Sequence, residues 1–435
     1  MRVRWVLPLL LTCCATIAQA QTAIPDTPAG HTLQAWLDAF NSGDRSRMEN
    51  YAKTIDPSQD ADDMMAFRAQ TGGFDLVSID SSERLHVEFR VKERDSATEA
   101  IGDLVVKDGT PPTVVSLRLQ AIPPGATPTR VVLDAALRHR VLEGIEADLT
   151  EYYVDAALAK QMNDALEAHA RAGDYNNISD GNTFAAKLQE DLQVVSHDRH
   201  LRVDFSPVKM PERETPSADE RARMHAEMLR QNCAFDKAEV LDGNIGYLKF
   251  DAFMDADVCG ATASAAMAFV AHTDALIIDL RENGGGDPGM VRFIASYLFD
   301  HPTHLNDLYN RHENTTTQFW TLPHVPGDRM VKQPVFVLTA HRTFSGAEEF
   351  AYDLKTQKRA TIVGETTGGG AHPVSGHMVA DYFMVGVPFA KAINPITKTN
   401  WEGTGVEPDV KVAAADALTT AEKLAAEKIH AGRAP

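Results

Sequence analysis

Apolar residues recur at two different periods along the chain, and the changes of period divide it. Thr32-Leu-Gln-Ala-Trp-Leu-Asp-Ala-Phe40 repeats every three or four residues and predicts an amphipathic helix, which Asn41-Ser-Gly-Asp44 stops before another short helix. After Gly72-Gly73 the period falls to two. Leu85-His-Val-Glu-Phe-Arg-Val91, Thr98 to Val106 and Thr113 to Leu119 read as strands of a meander. Helices followed by strands predict an α+β domain over 28–125, closed by the linker Gln120-Ala-Ile-Pro-Pro-Gly125. From Leu133 through Leu137, Val141, Ile145 and Leu149 the helical period returns. Two more helices, Ala156 to Ala172 and Asn182 to Leu192, complete a small helical bundle over 132–195. Beyond it, over 196–430, the strands become short unbroken apolar runs: Ile245 to Phe250, Ala275 to Leu280, Pro334 to Thr339 and Thr361 to Val363. Helical stretches alternate with them, which predicts an α/β domain whose sheet is covered by helices. The polar stretch Glu212 to Arg223 reads as a loop or an exposed helix.

The first twenty residues stand outside this scheme. Arg2 and Arg4 precede an apolar run too short to span a bilayer with its flanks, and Ala18-Gln19-Ala20 offers a small-x-small cleavage pattern. A signal peptide cut after Ala20 is therefore expected, with a periplasmic or secreted product; a lipid anchor at Cys13 or Cys14 is the lesser alternative. Losing two arginines takes the formal charge from −19 to −21. So acidic a chain repels nucleic acid and anionic lipid, and neither is expected as a partner. No later stretch is long and apolar enough to span a membrane. Cys233 and Cys259 are too few for a zinc site. They either form a disulfide around the strand Ile245 to Phe250 or remain two buried thiols.

Chemistry concentrates at two strand ends. In Val335-Phe-Val-Leu-Thr-Ala-His-Arg-Thr-Phe-Ser345-Gly-Ala-Glu-Glu-Phe-Ala351 a buried strand runs through a short turn into a helix. A serine at that junction is ordinarily just an N-cap. It is also where a nucleophilic hydroxyl meets the free N–H groups of a helix N-terminus, with the Gly346 N–H as an oxyanion donor. Asp279-Leu-Arg-Glu-Asn-Gly-Gly-Gly-Asp287 follows another buried strand, about sixty residues earlier. Its glycines let the backbone approach a substrate, so Gly285 and Gly286 are expected to complete the oxyanion hole with Gly346. No Lys-Ser/Thr follows, so the loop is not a phosphate-binding P-loop. Glu348, three residues past Ser345, either supports the site or charges the first helical turn.

Asp279-Leu-Arg-x-Asn-x-Gly-Gly286, Thr343-Phe-Ser-Gly-Ala-Glu348 and Gly364-Glu-Thr-Thr367 occur in an order that resembles the tail-specific (C-terminal-processing) serine peptidases. Asp198-Arg-His-Leu-Arg-Val203 and Asn394-Pro-Ile-Thr-x-x-Asn-Trp-Glu-Gly-Thr-Gly-Val-Glu-Pro-Asp409 are most similar to the branch of the interphotoreceptor retinoid-binding protein modules and the tricorn core protease. The resemblance spans about Val132 to Val412 and implies a crotonase-like ββα spiral as catalytic core. The segment 28–125 resembles the nuclear-transport-factor-like cone, through its first helix and later strands. It shows no catalytic constellation.

The sequence departs from the processing peptidases at one decisive place. Their serine is paired with a lysine in a Gly-Lys-Gly turn, and here that turn reads Gly368-Gly369-Gly370. A serine without a base is a poor nucleophile. The tricorn-like branch implies His200 as base and Glu402 as the supporting carboxylate near the chain end. His372, in Gly-Gly-Gly-Ala-His-Pro373, is the rival base, because its glycine loop should approach Ser345. His197, His200, His301 and His304 lack the further ligands of a metal site, and neither metal nor cofactor is expected. The recognisable tail-capturing PDZ insertion of the processing peptidases is absent. The expected function is an exported serine peptidase acting on peptide or protein substrates through an acyl-enzyme on Ser345. The alternative is a non-catalytic module on the same fold that binds an apolar ligand or a peptide. Oligomeric state is open.

Overall fold

The computed structural model describes residues 22–122, 131–209 and 217–433. Residues 1–21, with the expected signal peptide, residues 123–130, with half of the expected linker, and residues 210–216, with the start of the polar stretch, lie outside them. The described residues fall into two compact units, divided between the linker's two sides.

The first unit holds α1 (Pro28–Ser42), α2 (Arg45–Thr54), α3 (Ala61–Thr71) and the meander β1 (Phe74–Ser82), β2 (His86–Glu93), β3 (Glu99–Lys107) and β4 (Thr113–Ala121), paired in chain order. Thr27 caps α1 with Pro28 in the first turn, and Gly43 ends it in the left-handed conformation. Asp44 then caps α2, so the Asn-Ser-Gly-Asp signal serves both as stop and start. Leu33, Trp36, Leu37 and Phe40 of α1 pack on Val87, Phe89 and Val91 of β2. This is an α+β layer with one buried sheet face.

The second unit begins with α4 (Ala135–Tyr152), α5 (Ala156–Ala172), α6 (Gly181–Ser196) and β5 (Arg202–Phe205). Next come α7 (Ala218–Arg230), a 3₁₀ turn at Asn232–Ala234, β6 (Phe235–Leu241), β7 (Ile245–Phe250), α8 (Ala256–Val270), β8 (Ala275–Asp279) and α9 (Pro288–Ala295). After β9 (His304–Asn310) and β10 (Thr315–Trp320) follow β11 (Val335–Thr339), α10 (Gly346–Thr356) and β12 (Ala360–Gly364). The chain closes with β13 (Val374–Val379), β14 (Phe383–Pro388), β15 (Ala390–Ile393), β16 (Val410–Lys411) and α11 (Ala417–Arg433).

The central sheet has the order β16-β12-β11-β8-β7-β6, parallel except for the edge pair β6–β7. Both faces are covered, which is why its strands read as unbroken apolar runs. Leu276, Ile278, Val335 and Val337 face the core under α8, α9 and α10, while Ala275, Ile277, Phe336 and Leu338 face α11. The helices α4 to α6 do not enclose a core of their own. Leu137, Val141, Ile145, Phe184 and Leu188 pack against Val203, Phe383, Val385 and Val387 of a second sheet, β13-β14-β5. The early strand β5 thus carries the chain after the helices into a sheet built mainly from its far end. Cys233 and Cys259 are joined by a disulfide that ties the 3₁₀ turn to α8. Among the described residues, no helix is long and apolar enough to cross a membrane.

Candidate active site

Strand β11 is buried at all five positions and delivers the chain to a turn held from three sides. Thr343 Oγ1 donates to Leu280 O (2.7 Å), Phe344 N–H donates to Asn283 O (3.1 Å), and Thr343 O accepts from Gly368 N–H (3.0 Å). The turn is thereby locked to both glycine loops. Ser345 follows with φ 52° and ψ −121°, a strained conformation for a residue with a Cβ, and α10 starts at the next residue. Such a turn projects the side chain out of the sheet end while the first helical N–H groups stay unpaired beside it.

The Gly284-Gly285-Gly286 loop comes up against this turn. Asn283, fully buried, anchors it by donating to Phe250 O (2.8 Å) and accepting from Gly285 N–H (2.8 Å). A Cβ on Gly285 would lie 2.8 Å from Ser345 Cβ, and one on Gly286 would lie 2.0 Å from Phe253 O, so no side chain fits at either position. The expected oxyanion donors must be corrected here. Gly285 spends its N–H on Asn283, whereas Gly286 and Gly346 line the cavity beside Ser345.

That cavity, about 310 Å³, is lined by Ser345, Gly286, Gly346, His200, His372, Gly370, Glu349 and the apolar Pro288, Leu308, Ala392 and Trp401. His200 lies on the turn between α6 and β5, with its ring 4.8 Å from that of Phe344. Its Nδ1 is buried without a hydrogen-bond partner, 3.6 Å from Asp198 Oδ1. A Cβ on Gly370 would lie 2.4 Å from His200 Cε1 and 2.3 Å from Phe344 Cζ. The imidazole therefore occupies the room any side chain at position 370 would need.

Asp198 sits between the two histidines, 1% exposed, and its role was not read from the sequence although it opens the Asp-Arg-His motif. Its Oδ2 accepts from His372 Nδ1 (2.7 Å) and from Tyr153 Oη (3.3 Å), and its Oδ1 accepts from the His200 N–H (2.9 Å). Burial alone would raise the Asp198 pKa, but the interactions with His200 and His372 outweigh it and hold the carboxyl well below its ordinary range. Burial likewise works to lower the His372 pKa, and the Asp198 bond with the charges of Glu402 and Asp198 lifts it above the ordinary imidazole value. Glu402 stands 3.6 Å from His372 Nδ1 and accepts from Ala371 N–H. It supports His372; the carboxylate nearest His200 Nδ1 is Asp198. Ligand atoms of Asp198, His372 and Glu402 all lie within 4.8 Å of one another, so by donor type they could hold a cation. Within this group the shortest contact is the 2.7 Å hydrogen bond between His372 and Asp198.

Glu348 is fully buried and is not among the residues that line the cavity. Its carboxylate accepts from the N–H groups of Ser345 (2.9 Å), Gly369 (2.7 Å) and Gly370 (2.8 Å) and from Thr367 Oγ1. Burial raises its pKa despite these four donors. Glu348 is thus a positioning residue that binds the Ser345 turn to the third glycine loop.

Residues 244–412 match the family model of peptidase family S41, and residues 132–239 match that of the N-terminal domain of this peptidase in eukaryotic interphotoreceptor retinoid-binding protein. Among solved structures, a candidate peptidase from Parabacteroides merdae is similar at 19% identity and a TM-score of 0.47, over 66% of this chain and 96% of that one. The photosystem II D1 C-terminal processing protease shares 16% identity at a TM-score of 0.40, over 64% of this chain and 94% of its own. The tricorn protease shares 13% identity at a TM-score of 0.43, over 83% of this chain and 41% of its own.

Proposed function

The chain belongs to peptidase family S41 and is a serine-type peptidase, and from that premise we propose that it cuts peptide bonds through an acyl-enzyme on Ser345 with His200 as base. Ser345 Oγ attacks the scissile carbonyl, passing its proton to His200 Nε2, the ring nitrogen turned away from Asp198. The carbonyl oxygen, now an anion, is met by the N–H groups of Gly286 and Gly346. Collapse of this intermediate expels the amine, which takes the proton from His200. Water then enters by the same route in reverse, and the peptide acid leaves. Asp198 orients the imidazole and stabilises its protonated form. His372 is the weaker candidate for base, because its raised pKa favours the protonated ring.

The observation that carries this reading is the mutual exclusion at Gly370, where a Cβ would lie 2.4 Å from His200 Cε1. Relatives of the processing type hold a lysine in this turn, and here a histidine from a distant segment fills the same space beside the serine. The reading extends to a core of the crotonase-like ββα spiral type, supported by the succession of strands and helices in the second unit, and to a cone-like first unit. It also extends to export, supported by the pattern at 1–20 and by the Cys233–Cys259 disulfide.

Fluorophosphonate labelling tests it. The wild type should be labelled at Ser345 alone. His200→Ala should slow turnover by roughly 10²- to 10⁴-fold, with a smaller effect for His372→Ala. Labelling that persists in folded Ser345→Ala overturns the nucleophile. Near-normal turnover in both histidine variants overturns the base. A wild type that takes no label at all gives the cavity to ligand binding instead.

A further inference from the structure

Glu349 is the one acidic side chain lining the cavity that the mechanism above does not use. It lies on α10 four residues after Ser345, one helical turn below the nucleophile, and is 5% exposed. Asn306 Nδ2 donates to its Oε1 (3.2 Å). One turn further on, Asp353 is 1% exposed, and its Oδ2 has no hydrogen-bond partner among the described residues. Among the described residues, the charge that acts on Glu349 is Asp287 and the charge that acts on Asp353 is Glu349, with no lysine or arginine acting on either. Buried carboxylates are ordinarily paired, and this pair has no cation. Pro288, Leu308, Ala392 and Trp401 give the same cavity an apolar lining. A cavity that combines apolar lining with a carboxylate is complementary to a side chain with a long aliphatic stem and a cationic head.

Resting on the reading of Ser345 as nucleophile, we infer that Glu349 is a specificity-determining residue, which selects substrates carrying lysine or arginine at the residue that supplies the scissile carbonyl. That residue is singled out because its carbonyl must sit between Ser345 and the Gly286 and Gly346 N–H groups. Its side chain then has this same cavity to enter. Burial, together with the Asp287 charge, raises the Glu349 pKa to about 7, so the empty site resists ionisation and an entering cation relieves it.

The test compares kcat/KM for matched peptides with lysine, arginine or the uncharged norleucine at that residue. The wild type should prefer the cationic peptides by at least tenfold, and Glu349→Gln should abolish the preference. Glu349→Asp, which keeps the charge but withdraws it by a methylene, should favour arginine over lysine. It serves equally if the glutamine variant does not fold. A wild type that cuts norleucine peptides as well as lysine peptides overturns the inference. A preference that survives Glu349→Gln overturns it too. If Ser345 still takes the fluorophosphonate in that wild type, the nucleophile reading stands and only the pocket assignment falls. If it takes none, both fall together.

Discussion

Glu348 Oε2 accepts a hydrogen bond from the backbone N–H of Ser345 at 2.9 Å, so the strained turn at Ser345 is held by a carboxylate three residues further along the chain. The same carboxylate accepts from Gly369 and Gly370, so it joins the serine to the loop packed against His200.

Glu348→Ala should therefore cost more than an ordinary buried side chain. It leaves three N–H groups and the Thr367 hydroxyl without their acceptor, a loss of about 3 kcal/mol or more. Urea unfolding reads the stability, and the fluorophosphonate rate reads the alignment of Ser345. Glu348→Gln keeps the shape but offers one acceptor oxygen, so it should fall between the alanine variant and wild type. An alanine variant with a wild-type unfolding midpoint would refute this role.

Gly370→Ala places a methyl group where His200 Cε1 and Phe344 Cζ now stand. Turnover should fall by about 10²-fold as the imidazole is displaced, with little change in the unfolding midpoint. Gly370→Lys should be nearly inert as well, because its Cβ meets His200 Cε1 and Phe344 Cζ alike. Full activity in Gly370→Ala would contradict the packing argument.

The His372–Asp198 pair gives stability a predictable pH window. The His372 pKa is raised on folding, so its contribution is complete below about 6.5 and fades as pH rises through the folded value. The Asp198 pKa is lowered, so its contribution is present above about 3.9 and fades as pH falls through the folded value. The gap in Tm between wild type and His372→Gln should be widest between about pH 4 and 6.5 and should narrow toward pH 9. A gap that grows steadily with pH would contradict the assigned direction.

The parts of this molecule legible in its sequence are those whose pattern is local. The buried strands β7, β8, β11 and β12 show as apolar runs because both faces of their sheet are covered. The turn at Ser345 shows because strand, glycine and helix stand in one short stretch. β1 escaped because register shifts at Leu76/Ser78 and Ile79/Ser81 break its two-residue period. The shared core of α4 to α6 with β13 and β14 was not readable, since it joins segments some two hundred residues apart. Asp198 was likewise missed as a functional group. Its importance lies in meeting His372, 174 residues away, and no spacing within its own motif announces that. The loss of Gly285 as a donor could not be foreseen either, because it depends on which way the Asn283 amide turns.

Ser345 grows from the core beneath α8, α9 and α10, whereas His200 is carried between α6 and β5 by the core that α4 to α6 share with β13 and β14. Neither hydrophobic cluster contains both. A chain in which each cluster has condensed, but the two have not docked, holds Ser345 and His200 apart. On the proposed mechanism, such a half-folded chain would lack a paired serine and imidazole.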